Sequence, residues 1–469
     1  MAPSQSTKEN FRDKLSTVNR AGKRVWIYPK KPSGPFYRSR TWISLLLLII
    51  LFSGPFIKIN GKPILLLNIL ERKFIIFGIG FWPQDFYLFV LATITLIVFI
   101  ILFTVVYGRL FCGWACPQTI FMEMVFRKIE YWIEGDARKQ RQLKTAPMNF
   151  KKFIKKASKH SLFYAISFFI GNTFLAYIIG IDELRKIVTD SPSQHVAGLT
   201  AMILFSAVFY YVFAFFREQV CTLVCPYGRL QGVLLDQNSI VVAYDFNRGE
   251  PRGKIRKNVS QKNQGDCIDC KQCVEVCPTG IDIRNGTQLE CINCTACIDA
   301  CNAVMEKVNR PKGLIRYSSY LGIKEGYKLK LSPRIAGYSA VLLILVTVLF
   351  TLLLNRKPVE TTIFRTPGVL YQELDDGRIA NLYNLKIINK TFEHKQIELK
   401  LKSPEGSLEL VGGKLIVPDD GIEESAFFVK LNRDSIKTTS VPVWIDVYSG
   451  DKLIDEIKTT FIGPNPFLK

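Results

Sequence analysis

Histidine is scarce in this 469-residue chain, which has only His160, His195 and His394. A bis-histidine haem needs two such residues at similar depth across a helical bundle. His160 starts one apolar run, His195 precedes another on the opposite side and His394 lies in a polar tail, so the pattern argues against haem. His160 reads as a solvated residue at a helix start. Residues 355–469 contain no cysteine and one histidine, which leaves that region without a disulfide and with little to hold a metal. No small-residue cleavage site follows the first apolar run, and the polar, basic residues 1–40 precede it, so a cleaved signal peptide is excluded and the run is expected to remain as an anchor. Acidic residues are few, 40 against 62 Lys and Arg, for a net charge of +22. No aromatic-basic platform accompanies that charge, which weighs against nucleic acid as a partner.

What the chain does have is apolar residues gathered into runs. Residues 43–56, 86–107, 162–181, 196–216 and 335–354 are nearly free of charge. They are mostly close to the roughly 20 residues a bilayer crossing needs. Buried helices of a large soluble protein fit poorly, because the runs alternate with strongly charged connectors. Residues 1–40 carry ten basic residues and 109–159 carry twelve, whereas the loops 58–84 and 182–195 carry four and two. By the positive-inside rule, 1–40 is a cytoplasmic basic segment and 41–216 a membrane domain of four helices. Residues 217–334 are then cytoplasmic, 335–354 is the fifth helix and 355–469 lies outside. The tail balances 16 basic with 17 acidic residues, so the positive charge is a topology signal with anionic lipid headgroups as its expected partner.

Between the runs, residues 58–84 are apolar but broken by Glu71, Arg72 and Lys73, and read as an interfacial or re-entrant element more readily than as a sixth span. Residues 126–159 read as amphipathic helix along the cytoplasmic face, with a solvated loop equally expected for their second half. Beyond about residue 358, segments such as IANLYNLKIINKT and ESAFFVKLNRDS alternate apolar and polar residues between turns. That is the pattern of an antiparallel sandwich, expected to be a structural or docking module.

All 12 cysteines fall in four motifs. CIDCKQCVEVCP holds Cys267, Cys270, Cys273 and Cys277, and CINCTACIDACN holds Cys291, Cys294, Cys297 and Cys301. Both have the C-x2-C-x2-C-x3-C spacing of bacterial ferredoxins, in which three close thiolates wrap one cubane and the fourth ligates the other. The expected ligands are Cys267, Cys270, Cys273 and Cys301 for one 4Fe-4S cluster, and Cys291, Cys294, Cys297 and Cys277 for a second, within a ferredoxin domain at about 258–310. Asn302 replaces the usual proline after the second motif and removes no ligand. Zinc ribbons use paired cysteines, so zinc fits this stepping poorly. The remaining four, Cys112 and Cys116 in GRLFCGWACPQT and Cys221 and Cys225 in CTLVCPYG, repeat a Cys-x3-Cys-Pro motif where an apolar run ends. At i and i+4 each pair is expected on one helix face, with Pro117 or Pro226 ending that helix or starting another. Four thiols meeting there suit a soft metal such as Cu(I), a further iron-sulfur centre, or dithiol-disulfide cycling, against a plain packing role.

Taken with GKRVWIYPKKPSGPFYRSR, KFIIFGIGFWPQDF, YDFNRGEPRG, CPTGIDIRNG and RPKGLIRYSS, these motifs make nearly the whole chain resemble the cytochrome c oxidase accessory protein family (CcoG, also called FixG or RdxA). The resemblance implies a multi-pass inner-membrane protein with an inserted 2(4Fe-4S) ferredoxin domain and an immunoglobulin-like C-terminal domain. It implies reduction of Cu(II) to Cu(I) in support of cbb3-type oxidase assembly, with copper chaperones and oxidase subunits as partners. It carries the family's cluster ligands onto the eight ferredoxin cysteines and its membrane-edge cysteines onto Cys112, Cys116, Cys221 and Cys225. Two other classes stay open: a ferredoxin-type quinol dehydrogenase subunit, against which the strand-rich tail weighs, and a non-enzymatic assembly scaffold with structural clusters.

Overall fold

The computed structural model describes residues 16–464 apart from 20, 60, 70–72, 255–263, 327–332, 369, 392 and 420. Parts of the expected segments 1–40, 258–310 and 355–469 therefore lie outside the described residues. Five helices are long and apolar enough to cross a membrane: Pro35–Phe56, Pro83–Tyr107, Phe150–Ile179, Val196–Phe216 and Pro333–Leu354. Their flanks expose Leu46, Ile49, Leu96, Ile97, Phe169, Leu204 and Leu343. Such apolar surface is costly in water and costs nothing in lipid, where the helix satisfies its own backbone.

Two helices begin well before their apolar runs. The first starts at Pro35, whose fixed φ suits the first helical position. Its free N–H groups at Phe36 and Tyr37 are taken by the Asp299 carboxylate, at 3.3 and 2.8 Å. The third starts at Phe150, where the Asn149 side chain accepts the N–H of Lys152 at 2.8 Å, and it runs 30 residues without a break. Of the two equal expectations for the second half of 126–159, the structure has helix, in Ala137–Thr145 and again from Phe150. Hydropathy marks where lipid begins, and the cap marks where the helix begins.

Two compact units make up the chain, residues 1–55 with 91–347 and residues 56–90 with 348–469. In the second unit, the described residues of 58–84 contain no helix long enough to be a sixth span. They form short strands: β1 (Lys58–Ile59) pairs with β2 (Lys62–Pro63), and β3 (Leu65–Asn68), β4 (Lys73–Ile76) and β5 (Ile79–Phe81) form an antiparallel sheet. In the first unit, β6 (Val241–Tyr244) and β7 (Ile315–Ser318) pair across the ends of the cysteine-rich segment.

The tail of the second unit is an antiparallel sandwich. One sheet orders β12 (Gly406–Val411), β14 (Ile422–Leu431), β10 (Ile379–Asn389) and β8 (Val359–Arg365), with β9 (Gln372–Glu373) also on β10. The other orders β13 (Leu415–Val417), β11 (Lys395–Ser403), β15 (Ser440–Ser449) and β16 (Lys452–Ile462). Alternate residues of each strand point inward, so Leu385, Ile387, Val429, Leu431, Val443, Ile445 and Val447 close the core between the sheets. Tyr383 stacks on Phe427 with ring centroids 5.4 Å apart and donates its hydroxyl to the Thr460 carbonyl of the facing sheet at 2.9 Å. Phe427→Ala is expected to cost the sandwich about 3–5 kcal/mol. Faster amide hydrogen exchange across residues 379–462 of the detergent-solubilised chain would measure it.

Candidate redox site

The two ferredoxin-type motifs fold alike. Asp269 (φ 52°) and Lys271 (φ 56°) flank Cys270, and Asn293 (φ 52°) and Thr295 (φ 63°) flank Cys294. Non-glycine residues in the left-handed region are uncommon and gather at functional sites. Alternating them with residues of other conformation is how backbone N–H groups converge on an anion. Residues Gln272–Glu275 and Ala296–Lys307 then form helices, the second carrying Cys297 and Cys301.

The thiols sort into two neighbourhoods. Burial pushes Cys273 and Cys301 each up to about 12; Cys301 and Cys270 add to the first shift, Cys270 and Cys267 to the second. Burial likewise pushes Cys291 up to about 12, with Cys294 and Cys277 adding, and raises Cys297 with help from Cys294, Cys291, Cys277 and, from the first group, Cys273. A cavity lies among Cys273, Cys277, Cys291, Cys294 and Cys297. Among the described residues, no three of His, Cys, Asp or Glu converge closely enough to hold a single metal ion. A dry space walled by soft sulfur donors fits iron-sulfur chemistry, since a bound metal deprotonates the thiols that burial otherwise keeps neutral.

At the membrane edge, each proline starts a new helix. Cys116 and Cys225 are extended N-cap residues, and Pro117 and Pro226 are the first helical residues behind them. Cys112 and Cys221 sit in the preceding helical turns, so neither pair shares one continuous helix face as the i, i+4 spacing had suggested. The N–H of Cys116 reaches the Phe111 carbonyl at 2.9 Å and that of Cys225 the Val220 carbonyl at 2.8 Å. Both bonds span five residues, a π-turn of the kind found at functional sites.

These turns bring the four thiols into one neighbourhood. Burial pushes Cys112 up to about 11, with Cys116 and Cys225 adding. It pushes Cys221 up to about 12, with Cys116, Cys112 and Cys225 adding. Cys112 donates to Gln231 Oε1 at 3.4 Å, and the Gly228 N–H donates to Cys225 Sγ at 3.4 Å.

Two of the four, Cys112 and Cys221, lie beside Ile292 of the second ferredoxin loop. Cys112 packs on Val276, Ile292, Cys294 and Ala296. Trp114 Nε1 donates to the Tyr317 hydroxyl at 3.0 Å, which donates to the Asn293 carbonyl at 3.3 Å. Cys221 shares a cavity with Thr279, Ile292, Glu123, Arg217 and Glu218. Arg109 is buried between the two groups, donating to the Leu289 and Gly228 carbonyls, and its charge favours the thiolates of both Cys112 and Cys291. Buried Arg40 donates to the Cys294 carbonyl at 3.1 Å. Sequence reasoning missed both arginines, because a basic residue beside an apolar run reads first as a topology signal.

It also missed a chain of buried ions. Lys159 meets Glu134 at 3.1 Å and Glu130 at 3.6 Å, and Glu130 takes the Arg217 guanidinium at 2.8 and 3.0 Å. Arg217 lies 3.5 Å from Glu218, Glu218 lies 3.8 Å from Arg127, and Arg127 lies 3.0 Å from Glu123, beside the Cys221 cavity. Burial would raise Glu130, but Arg217, Lys159 and Arg127 hold it below the usual carboxylate range. His160 stands apart from the thiols. It lies eleven residues into the third helix, partly buried, and pairs through Nδ1 with the Tyr210 hydroxyl at 2.9 Å, which corrects the solvated helix-start reading. His195 pairs with Asp190 and His394 lies near Asp419.

Comparison with known families matches residues 216–320 to a 4Fe-4S dicluster domain, 89–139 to a 4Fe-4S binding domain and 349–464 to the IG-like fold at the C-terminal of FixG. Protein RdxB of Cereibacter sphaeroides is 34% identical over 81% of this chain and 83% of its own length. Nitrogen fixation protein FixG of Rhizobium meliloti is 32% identical over 83% of this chain and 82% of its own. A crystal structure of a FixG-related protein from Vibrio parahaemolyticus aligns with 23% of this chain and 97% of that one, at 19% identity and a TM-score of 0.20.

With Cys112 pushed up to about 11 from 9.0, its thiolate fraction below pH 9 is about a hundredfold smaller than that of a free thiol. In metal-free protein, alkylation of Cys112 by iodoacetamide is therefore expected to be slow at neutral pH and to climb towards pH 11. Peptide mass spectrometry across pH reads this directly, and a plateau already reached at pH 9 would contradict it.

Proposed function

The chain belongs to the FixG/RdxA family, and on that premise we propose that it is a membrane electron-transfer protein acting as a cupric reductase. Cys267, Cys270, Cys273 and Cys301 hold one 4Fe-4S cluster, and Cys291, Cys294, Cys297 and Cys277 hold the other. Cys112, Cys116, Cys221 and Cys225 bind the copper substrate. The observation that carries this reading is the single neighbourhood of those four thiols, packed through Cys112 against the residues around Cys294.

When bound, the clusters supply single electrons, the number Cu(II) takes to become Cu(I). The chain's own residues do the rest. Thiolate ligands favour Cu(I) over Cu(II), so seating copper among the four sulfurs raises the driving force for its reduction. Gln231 orients Cys112 through its 3.4 Å contact, and the Arg109 charge eases loss of the thiol proton as the metal binds. The excess of Lys and Arg on residues 1–40 and 109–159 supports a cytoplasmic N-terminus and cytoplasmic residues 217–334 with the sandwich outside, and the family resemblance supports a bacterial inner membrane. Cu(I) then passes to copper chaperones and a cbb3-type oxidase under assembly, as the family resemblance implies.

One observation favours a second reading of the four thiols. The 4Fe-4S binding domain matched at 89–139 contains only Cys112 and Cys116 of the twelve cysteines, as expected if the quartet holds a third iron-sulfur centre. The double variant Cys112→Ser with Cys116→Ser separates the two. A cupric reductase loses Cu(II) reduction by the dithionite-reduced protein and keeps its iron content and visible absorbance. A third centre loses iron and absorbance instead, and copper kinetics unchanged from wild type would defeat the copper assignment.

A further inference from the structure

Of the twelve cysteines, Cys270 alone is exposed. The membrane-edge Cys112 packs against a cluster formed by Val276, Ile292, Cys294 and Ala296, which does not include Cys270. A relay with one exposed end and one half-buried end has a direction, and the exposed end is where a soluble donor can reach it.

The rim of that end is basic. Lys271 follows Cys270 directly and is exposed. Arg252 and Lys254, also exposed, flank Gly253, whose N–H bonds the Cys267 carbonyl at 3.0 Å. Exposed Lys30 donates to Gln272 Oε1 on the same loop at 2.9 Å. The nearby carboxylates are only partly matched, since exposed Glu275 accepts from the Gln272 amide at 3.0 Å and one arginine serves two aspartates. Asp269 and Asp282 share Arg284 at 2.5 and 2.7 Å, and Asp266 takes Arg248 at 2.6 Å. Glu250, at 3.8 Å from Arg252, offsets one charge of the rim. Lys30, Arg252, Lys254 and Lys271 leave the side chains of this rim with a small positive excess.

We propose that this face docks a small acidic one-electron carrier, which delivers electrons to the chain at Cys270. The inference rests on Cys267, Cys270, Cys273 and Cys301 holding a cluster. The step is a single electron leaving the reduced carrier and arriving at that cluster, with no bond made and no proton moved. Opposite charge across a small, wet interface gives fast encounter and easy release, which suits a carrier that must leave after each electron.

The test uses the full chain, purified anaerobically in detergent, with a small acidic flavodoxin as probe. Iron content and visible absorbance are recorded first, so a failure of the cluster assignment is read separately from a failure of the docking face. Binding of oxidised flavodoxin, measured by microscale thermophoresis, is expected to weaken about tenfold or more between low and high salt. A similar loss is expected at low salt in the double variant Arg252→Glu with Lys271→Glu, while Lys402→Glu on the sandwich leaves binding unchanged. Bleaching of the iron-sulfur absorbance by flavodoxin hydroquinone should slow in parallel. Binding indifferent to both salt and charge reversal overturns the proposal. So does reduction by a quinol analogue in vesicles with none by the carrier, and so does a basic rim that retains anionic lipid vesicles while ignoring flavodoxin.

Discussion

Gly113 stands between Cys112 and Cys116 with its backbone so close to the second ferredoxin loop that a Cβ there would lie 2.5 Å from the Ile292 carbonyl oxygen and 2.7 Å from that of Asn293. Only a residue without a side chain permits this approach. The contact holds the membrane-edge turn against the loop that carries Cys291 and Cys294. Electron tunnelling weakens steeply with distance, so the utility of four thiols at a helix end depends on how near the relay comes to them. Arg109, Trp114 and Tyr317 tie the same two segments by hydrogen bonds, and each tie is to a backbone carbonyl or to another member of the set. The arrangement fixes the loop by its main chain.

The buried ions act on the other half of the quartet. Glu130, Glu134, Glu218, Arg127 and Arg217 are all under a tenth exposed, and together with Lys159 they link the third helix to the turn before Cys221. Buried pairs of this kind add little net stability, because desolvation cancels much of the attraction, but breaking one partner leaves a costly bare charge. Their effect is therefore on register. Arg217, in the left-handed region at φ 55°, sits where the fourth span ends, and its bidentate grip on Glu130 holds the turn into the Cys221 helix. Sliding the turn by one residue would strand several charges at once.

Much of this was readable in the sequence, and the division is physical. Cysteine spacing reports cubane geometry because the ligands are local, and long apolar runs report spans because lipid imposes length. Alternation in the tail reported most of the sandwich, though β8 at Val359–Arg365 was missed because Glu360, Thr361 and Thr362 interrupt its apolar alternation. Helix starts at Pro35 and Phe150 were hidden by charge, since capping by Asp299 or Asn149 carries no hydropathy signal. The roles of Arg40, Arg109 and Arg217 were hidden for a different reason. Burial of a guanidinium is a tertiary fact, and nothing adjacent in sequence distinguishes an arginine facing headgroups from one facing a carbonyl beside a cluster ligand.

The same burial shapes what the quartet can bind. In the absence of metal, Cys112 and Cys221 are neutral thiols well beyond neutral pH. A hard cation gains little from neutral sulfur, whereas a soft one displaces the proton and keeps the thiolate. Binding is then coupled to proton release, and the site discriminates by softness before geometry is considered. Asymmetric exposure completes the argument. Cys270 is exposed and the four membrane-edge cysteines are half-buried, so water and soluble ligands reach the two ends of the cysteine set unequally.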